Sequence, residues 1–117
     1  MPEGITGRAV TKAAREGDAG AQRCFDIVGR WLGEGLADLA AILDPSCFVI
    51  GGGVSDAGEL LLAPTRAAFE AALTGRRYRQ LAEIKLAELG ADAGLIGAAD
   101  LARSAELCSR PAPVHKA

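Results

Sequence analysis

Three consecutive glycines, Gly51, Gly52 and Gly53, are the feature of this sequence best suited to support chemistry. They follow a short apolar run at residues 48–50, whose composition is typical of a β-strand. A helix-start signal at residues 55–59 comes directly after them. Because glycine lacks a Cβ atom, the backbone can turn sharply here and approach a flat or phosphate-bearing ligand closely. The order strand, glycine loop, helix therefore predicts a nucleotide-binding α/β protein.

The spacing around the glycines distinguishes three kinds of nucleotide loop. A P-loop requires G-x-x-x-x-G-K-[ST], and the first lysine after these glycines is Lys85, so a P-loop is excluded. A dinucleotide fingerprint requires G-x-G-x-x-G, and counting from Gly51 and Gly53 its third glycine would fall on Asp56. The remaining interpretation is the adenosine-side loop of the actin-like sugar kinase fold, where a Gly-Gly turn lies against the nucleoside.

Other residue types give no catalytic or metal site. The carboxylates are expected on solvated helix faces and strand edges: Glu34, Asp38, Glu70, Glu83 and Glu88. The triplet Asp-Ala-Gly occurs at Asp18, Asp56 and Asp92, but each precedes or opens a predicted helix, where Asp is the expected cap. Three cysteines without a C-x-x-C pair and one histidine exclude a conventional zinc site and a disulfide framework. Cys24 and Cys47 lie in apolar patterns and are predicted to be buried.

Length and composition fit one compact unit or one lobe of a larger one. The chain has 117 residues, of which 50% are hydrophobic and 24% are charged. A net charge of −2 argues against nucleic acid or an anionic membrane as partner, and the basic residues 76–79 are interpreted as a solvated loop. No apolar run approaches the roughly 20 residues of a membrane span, so a cytoplasmic location is expected.

The apolar spacing predicts the order α-α-β-α-β-α. Thr6 is expected to cap a first helix over residues 7–16, and Asp18 a second that ends before Pro45. The second helix has an apolar stripe on one face: Phe25, Val28, Leu32, Leu36, Leu39 and Leu43. Ile27 and Trp31 lie off this stripe, which predicts a second buried side. Its three interior glycines, Gly29, Gly33 and Gly35, predict close packing of another backbone.

The second half of the chain supplies the strands and two more helices. Strands are predicted at residues 47–50 and 83–89. Asp56 and Glu59 form a capping-box pattern for the third helix, which Pro64 should kink or split. A last helix over residues 93–105 completes the predicted domain, residues 1–105, and a disordered tail is predicted at residues 106–117.

The β-α-β portion implies a parallel strand pair with a right-handed crossover. Two parallel strands make a poor sheet by themselves, because apolar edges and helix backs would remain open to water. We therefore expect a missing partner, either another protomer or the rest of a longer polypeptide.

Several segments resemble bacterial ROK-family glucokinases. The signature L-D-P-S-C-F-V-I-G-G-G-V-S at residues 43–55 continues as G-E-L-L-L-A-P at residues 58–64. The run A-G-L-I-G-A-A at residues 93–99 resembles the closing helix of the family. Upstream, A-R-E-G-D at residues 14–18 and G-R-W-L-G at residues 29–33 are also similar. The resemblance covers residues 5–102 and is specific when the glycine loop and the closing helix occur together at this separation.

This resemblance implies part of an actin-like, ribonuclease H-like ATPase lobe that uses ATP with Mg²⁺ to phosphorylate the 6-hydroxyl of glucose. The residues it assigns to adenosine binding are Gly51, Gly52, Gly53, Val54 and Ser55. The family's Asp-x-Gly phosphate loop, its Asn-Asp pair with the catalytic base and its zinc-binding cysteine cluster have no counterpart in this sequence. The resemblance is thus to the C-terminal portion of such an enzyme, with no catalytic residue and no metal ligand in this chain.

Two hypotheses follow from this partial match. In the first, the chain is a glucokinase C-terminal lobe that works only with its missing N-terminal lobe, on glucose and ATP. In the second, it is a catalytically inactive ROK-like module that acts through association, forming a homo-oligomer through exposed helix faces.

Overall fold

The computed structural model describes residues 4–108. These contain four helices and two strands: α1 (Gly7–Arg15), α2 (Ala19–Leu43), β1 (Cys47–Ile50), α3 (Glu59–Ala72), β2 (Glu83–Leu86) and α4 (Ala93–Cys108). Short 3-10 turns at Gly53–Ala57 and Gly90–Asp92 precede α3 and α4. The predicted order of elements is confirmed. Helix α4 extends beyond its predicted end at residue 105, and the rest of the predicted tail, 109–117, lies outside the described residues.

The first two helices begin and end at the predicted residues or next to them. The Thr6 hydroxyl accepts a hydrogen bond from the Ala9 amide at 3.3 Å, and an Asp18 carboxylate oxygen accepts one from the Ala21 amide at 2.7 Å. Both side chains satisfy amides that have no partner within the helix. Helix α2 ends at Leu43, and Asp44 adopts a left-handed conformation with φ 46° before Pro45. The α region is disfavoured for a residue that precedes proline.

Helices α2 and α3 pack through glycine. A Cβ atom on Gly29 would lie 2.6 Å from Pro64 Cγ, and one on Gly33 would lie 2.7 Å from both Ala68 Cβ and the Phe69 amide nitrogen. The predicted close approach of another backbone is confirmed at these two glycines. It is wrong for Gly35, where an added Cβ atom would meet nothing within 4 Å.

The core lies on both sides of this contact. One cluster joins the C-terminal half of α2 to α3 and β2: Leu36, Ala37, Ala40, Leu62, Phe69, Leu73 and Ile84. Phe48 of β1 packs against it, with its ring edge-to-face on Phe69 at a centroid distance of 6.0 Å. A second cluster joins α1, the start of α2, the turn before α3 and the start of α3 itself: Ala14, Ala21, Phe25, Ala57 and Leu61.

The strands form a parallel pair in which Phe48 is opposite Ile84 and Val49 is opposite Lys85. Phe48 and Ile84 face the helices, whereas the Val49 side chain is 64% exposed on the other face. Among the described residues, helices therefore cover one face of the pair. Strand β2 ends at Leu86, short of the predicted residue 89.

The burial predicted for α2 was partly wrong. Ile27 and Trp31 are 52% and 68% exposed, so the predicted second buried side faces outward in this chain. Three residues of the predicted stripe are exposed as well: Val28, Leu39 and Leu43. The closest approach of α3 is at Gly29 and Gly33, where no side chain fits, whereas Phe25 and Leu36 of the predicted stripe are buried as expected. Cys24 is exposed and Cys47 is half-buried, so neither is the buried residue that was predicted.

The start of α3 also differs from the prediction. Asp56 lies inside the 3-10 turn, and α3 begins after Gly58, whose φ is 62° and which provides no side-chain cap. The capping box is thus wrong, because the left-handed Gly58 separates Asp56 from the helix. Pro64 lies within one continuous helix and does not split it. Within residues 4–108, no helix is both long and apolar enough to span a bilayer.

Gly33→Ala should destabilise the fold, and Gly35→Ala should not. The new methyl group at position 33 would press on the backbone of α3, at a cost of about 1–3 kcal/mol typical of overpacking. At position 35 the methyl group meets open space, and alanine favours a helix over glycine by about 1 kcal/mol. Urea unfolding of both variants, followed by circular dichroism, measures the difference. Equal unfolding midpoints would contradict the close contact between α2 and α3.

The isolated chain should not be a well-behaved monomer. Large apolar side chains are exposed on α2, where they include Trp31 and Ile42, and on α4, where they include Leu95 and Leu101. Contiguous apolar surface beyond a few hundred Å² rarely stays open on a soluble monomer. We expect a dimer, a higher oligomer or low solubility. Sedimentation velocity over a range of concentrations measures this, and one monomeric species at every concentration would show that the surface is tolerated in water.

Candidate nucleotide-binding cleft

The glycine loop is a sharp turn between β1 and the 3-10 turn before α3. Gly52 has φ 86° and ψ −178°, a conformation that is essentially restricted to glycine. The chain leaves β1 at Ile50, reverses at Gly52 and enters the 3-10 turn at Gly53. The predicted turn with at least one positive φ is confirmed.

Ser55 closes this turn from inside. Its amide and its hydroxyl both donate to the Gly52 carbonyl oxygen, at 3.0 Å and 2.6 Å. The Ser55 residue is only 5% exposed. Two bonds to one carbonyl fix the orientation of the peptide group after Gly52, so Ser55 shapes the loop.

An open cleft of about 910 Å³ lies between the loop and the first two helices. Its walls come from α1, α2, the residues after the glycine turn and the 3-10 turn before α4. The lining residues are Thr6, Gly7, Arg8, Val10, Thr11, Lys12, Arg15, Glu16, Cys24, Phe25, Val28, Gly53, Val54, Asp56 and Ala91.

The cleft includes some of the residues that sequence assigned to adenosine and not others. Gly53 and Val54 line it, whereas Gly51, Gly52 and Ser55 are not among its lining residues. A Cβ atom on Gly51 would make ordinary contacts with Ala87 and Ala93, at 3.5 and 3.6 Å. The geometry therefore divides the five into two that face the cleft and three that form the turn.

The main contribution that sequence reasoning missed is helix α1. Arg8, Lys12 and Arg15 all line the cleft, and their i, i+4, i+7 spacing places them on one helix face. The sequence could have revealed this contribution, because the spacing places the three basic residues in one stripe along a short helix. Lys12 forms an exposed ion pair with Glu16 at 3.8 Å.

Arg15 connects α1 to the segment that follows the glycine loop. Its Nη2 atom donates a hydrogen bond of 2.6 Å to the backbone carbonyl of Asp56. This is the bond by which a side chain of α1 holds the 3-10 turn against the first helix. Ala14 and Ala57, which belong to one apolar cluster, bring the same two segments together.

The cleft has an apolar wall and a basic wall, and these suit two different parts of one ligand. Phe25, Val28, Val54 and Ala91 provide apolar surface of the kind that a flat heterocycle requires. The basic stripe of α1 supplies positive charge, which attracts phosphate groups. A glycine turn with apolar surface on one side and cations on the other fits an adenine nucleotide better than a neutral sugar.

Comparison with known proteins identifies the family. The sequence profile described as the ROK family matches residues 1–105. The chain belongs to the ROK family. It is 48% identical over 102 residues to a glucokinase of Streptomyces coelicolor, a match that covers 87% of this chain and 32% of that protein. It is 34% identical to an N-acetylmannosamine kinase of Escherichia coli, over 89% of this chain and 34% of that protein.

The solved structures of ROK proteins share this fold. A ROK family glucokinase from Streptomyces griseus, crystallised with glucose and AMPPNP, superposes with a TM-score of 0.82 at 52% identity, over 87% of this chain and 33% of that one. The chain thus has part of the actin-like ATPase fold, and it spans about a third of the length of these ROK relatives. ROK kinases named for different sugars match the same third, so this portion is common to them.

Arg15→Ala should loosen the segment beside the cleft. The lost hydrogen bond is exposed, so we expect about 1 kcal/mol, or about fivefold faster amide hydrogen exchange over residues 53–57. Arg8→Ala is the matched control, because Arg8 also lines the cleft from α1 and its substitution removes the same charge. Hydrogen exchange read by mass spectrometry measures both. Equal exchange in the two variants would show that the Arg15 bond does not hold this segment.

Proposed function

We propose that this chain is the ATP-binding C-terminal portion of a glucokinase-type ROK kinase. The adenosine of ATP lies in the cleft between the glycine loop and α1, and the remainder of the enzyme supplies the sugar site and the catalytic base. The observation that carries this proposal is the Gly52 turn, which opens beside a cleft with an apolar wall and a basic one. The Streptomyces griseus relative, which binds glucose and AMPPNP, supports ATP and glucose as the ligands of the whole enzyme.

The division of labour follows from what phosphoryl transfer requires. An attacking hydroxyl must be aligned with the γ-phosphorus, its proton must be accepted, and charge on the phosphates must be balanced. Mg²⁺ arrives on the phosphates of ATP as part of the substrate. Residues 4–108 contain no group of His, Cys, Asp or Glu arranged to hold a metal ion. The carboxylates lining the cleft are Glu16, paired with Lys12, and Asp56, in the turn before α3.

This chain therefore binds and orients the nucleotide. The turn at Gly52 allows the backbone to approach the nucleoside, Val54 and Phe25 exclude water from one side of it, and Arg8 and Lys12 attract its phosphates. The proton transfer and the sugar contacts belong to the remaining two thirds of the enzyme.

A second candidate function is favoured by the exposed apolar side of α2 and α4. In this alternative the chain is a catalytically inactive ROK-like module that acts by association. Nucleotide binding by the isolated chain favours the first function, and concentration-dependent assembly without nucleotide binding favours the second.

Gly52→Ala should weaken binding of AMPPNP to the isolated chain by about fivefold or more. A residue with a Cβ atom is strained by about 1–3 kcal/mol at φ 86°. We expect the loop of the variant to adopt another conformation, which relieves the strain and alters the binding site. Gly75→Ala is the matched control, since Gly75 also has a positive φ, 75°, but lies in the turn after α3. Isothermal titration calorimetry measures both variants. Equal losses in the two, or no binding by the unsubstituted chain, would contradict the proposed site.

The isolated chain should produce no ADP in response to glucose above a protein-free blank. In this proposal residues 4–108 bind the nucleotide, and the group that accepts the sugar proton lies in the remaining two thirds of the enzyme. A coupled assay with ATP, magnesium and glucose measures this, with the complete Streptomyces coelicolor glucokinase as positive control. Robust turnover by the purified chain would show that its catalytic residues lie within these 117 residues.

A further inference from the structure

Asp56 lines the cleft but has no role in the function proposed above. Its neighbours Ser55 and Ala57 are each 5% exposed and are held inside the 3-10 turn, whereas Asp56 is exposed. Glu16, the other carboxylate described in the lining, is paired with Lys12 at 3.8 Å. Within residues 4–108, Asp56 is bonded through its backbone carbonyl and forms no hydrogen bond or ion pair through its carboxylate. The turn thus presents to the cleft a carboxylate whose acceptor positions are open.

Asp56 lies where the basic wall and the apolar wall of the cleft meet. On one side, Arg15 of the basic stripe donates to its backbone carbonyl at 2.6 Å. On the other side, the 3-10 turn before α4 lies against the turn that contains Asp56. A Cβ atom on Gly90 of that second turn would be 3.8 Å from Asp56 Oδ1, and the next residue, Ala91, belongs to the apolar wall. The carboxylate therefore has the phosphate-attracting side of the cleft on one hand and the base-binding side on the other.

The ribose is the part of a nucleotide that connects the base to the phosphates. A carboxylate at the junction of the two walls repels the phosphates, because both groups are negative. It accepts hydrogen bonds and cannot donate them, and the ribose offers two adjacent donors, its 2′- and 3′-hydroxyls. Dinucleotide-binding proteins use an acidic side chain on a ribose hydroxyl in the same way. The chemistry and the position of Asp56 thus fit the sugar of the nucleotide.

We propose that Asp56 is a specificity-determining residue that accepts hydrogen bonds from the ribose hydroxyls of the bound nucleotide. The proposal rests on the proposed function, because it requires ATP in the same cleft. It adds that this turn selects a nucleotide with both hydroxyls over one without them. A hydrogen bond to a carboxylate is stronger than one between neutral groups. A nucleotide that lacks the hydroxyls displaces water from the carboxylate and returns no hydrogen bond, so its binding is weakened.

The test compares ATP with 2′,3′-dideoxy-ATP, which differs only in lacking the two hydroxyls. Isothermal titration calorimetry with magnesium measures the affinity of the full chain for each nucleotide. We expect ATP to bind at least about tenfold more tightly, which is the scale of one hydrogen bond to a charged group. Equal affinities would overturn the proposal, because the Asp56 carboxylate would then be solvated surface, as an exposed aspartate ordinarily is.

Substitutions show whether Asp56 causes the preference. In Asp56→Ala the ratio of the two affinities should fall below about twofold, and in Asp56→Asn, which keeps one uncharged acceptor oxygen, it should be intermediate. Glu16→Gln is the matched control, because it removes the charge of another carboxylate in the lining. It should keep the tenfold ratio even where the affinity for both nucleotides rises. A tenfold ratio retained by D56A, or lost equally in E16Q, would overturn the proposal.

These variants are suited to the comparison because the Asp56 side chain forms no bond within residues 4–108 and α3 begins after Gly58. Circular dichroism checks that each variant folds. If D56A does not fold, the ratio measured for D56N and for the unsubstituted chain decides the matter. An unchanged ratio in D56N then counts against the contact.

The outcome is separable from that of the proposed function. Equal binding of ATP and 2′,3′-dideoxy-ATP supports the nucleotide site and overturns the ribose contact. Binding of neither nucleotide contradicts the proposed function, and the ribose contact fails with it. A preference for ATP that disappears in D56A and persists in E16Q supports both.

Discussion

The contact between the backbones of α2 and α3 at Gly29 and Gly33 determines the arrangement of the rest of the chain. A methyl group at either position would collide with α3, so the two helices lie as close as they do only because these residues have no side chain. This closeness brings Phe69 and Leu62 of α3 under the strands, where Phe48 packs on them. The direction of β1, and with it the direction of the glycine loop, follows from that packing.

The same contact explains which parts of the fold the sequence could predict. Element order and the ends of α1 and α2 depend on local signals such as Thr6, Asp18 and Pro45, and the predictions from these signals were correct. The buried face of α2 was predicted from its large apolar residues, of which Phe25 and Leu36 are buried, but the closest contact with α3 is made by Gly29 and Gly33. Hydrophobic periodicity gives weight to large side chains and cannot reveal that a neighbouring backbone is close enough to exclude them.

The part of the cleft that is formed by one short segment, the glycine loop, could be predicted from the sequence. The turn at Gly52 follows from glycine chemistry alone, so the loop was identified from sequence. The approach of α1 depends on long-range contacts, the burial of Ala14 with Phe25 and the bond from Arg15 to the Asp56 carbonyl. The basic stripe of α1 was visible in the sequence, yet a stripe of cations on a helix is usually solvated surface. Only its position opposite Val54 connects it with a ligand.

Exposed apolar surface in this chain has a consistent arrangement, which bears on how a chain about a third as long as its ROK relatives can fold. The contacts that hold α1, α2, α3 and the strands together are short-range in space and close around two clusters. What remains open is the second face of the strand pair, the free edge of β1 and the outer sides of α2 and α4. Helix α3 covers one side of α2. It also connects β1 to β2 and therefore lies on one face of the strand pair. On the opposite face Val49 is exposed, because α3, the helix that connects the two strands, lies on the other side of the pair. The folded core and the open surface are thus two consequences of the same β-α-β unit.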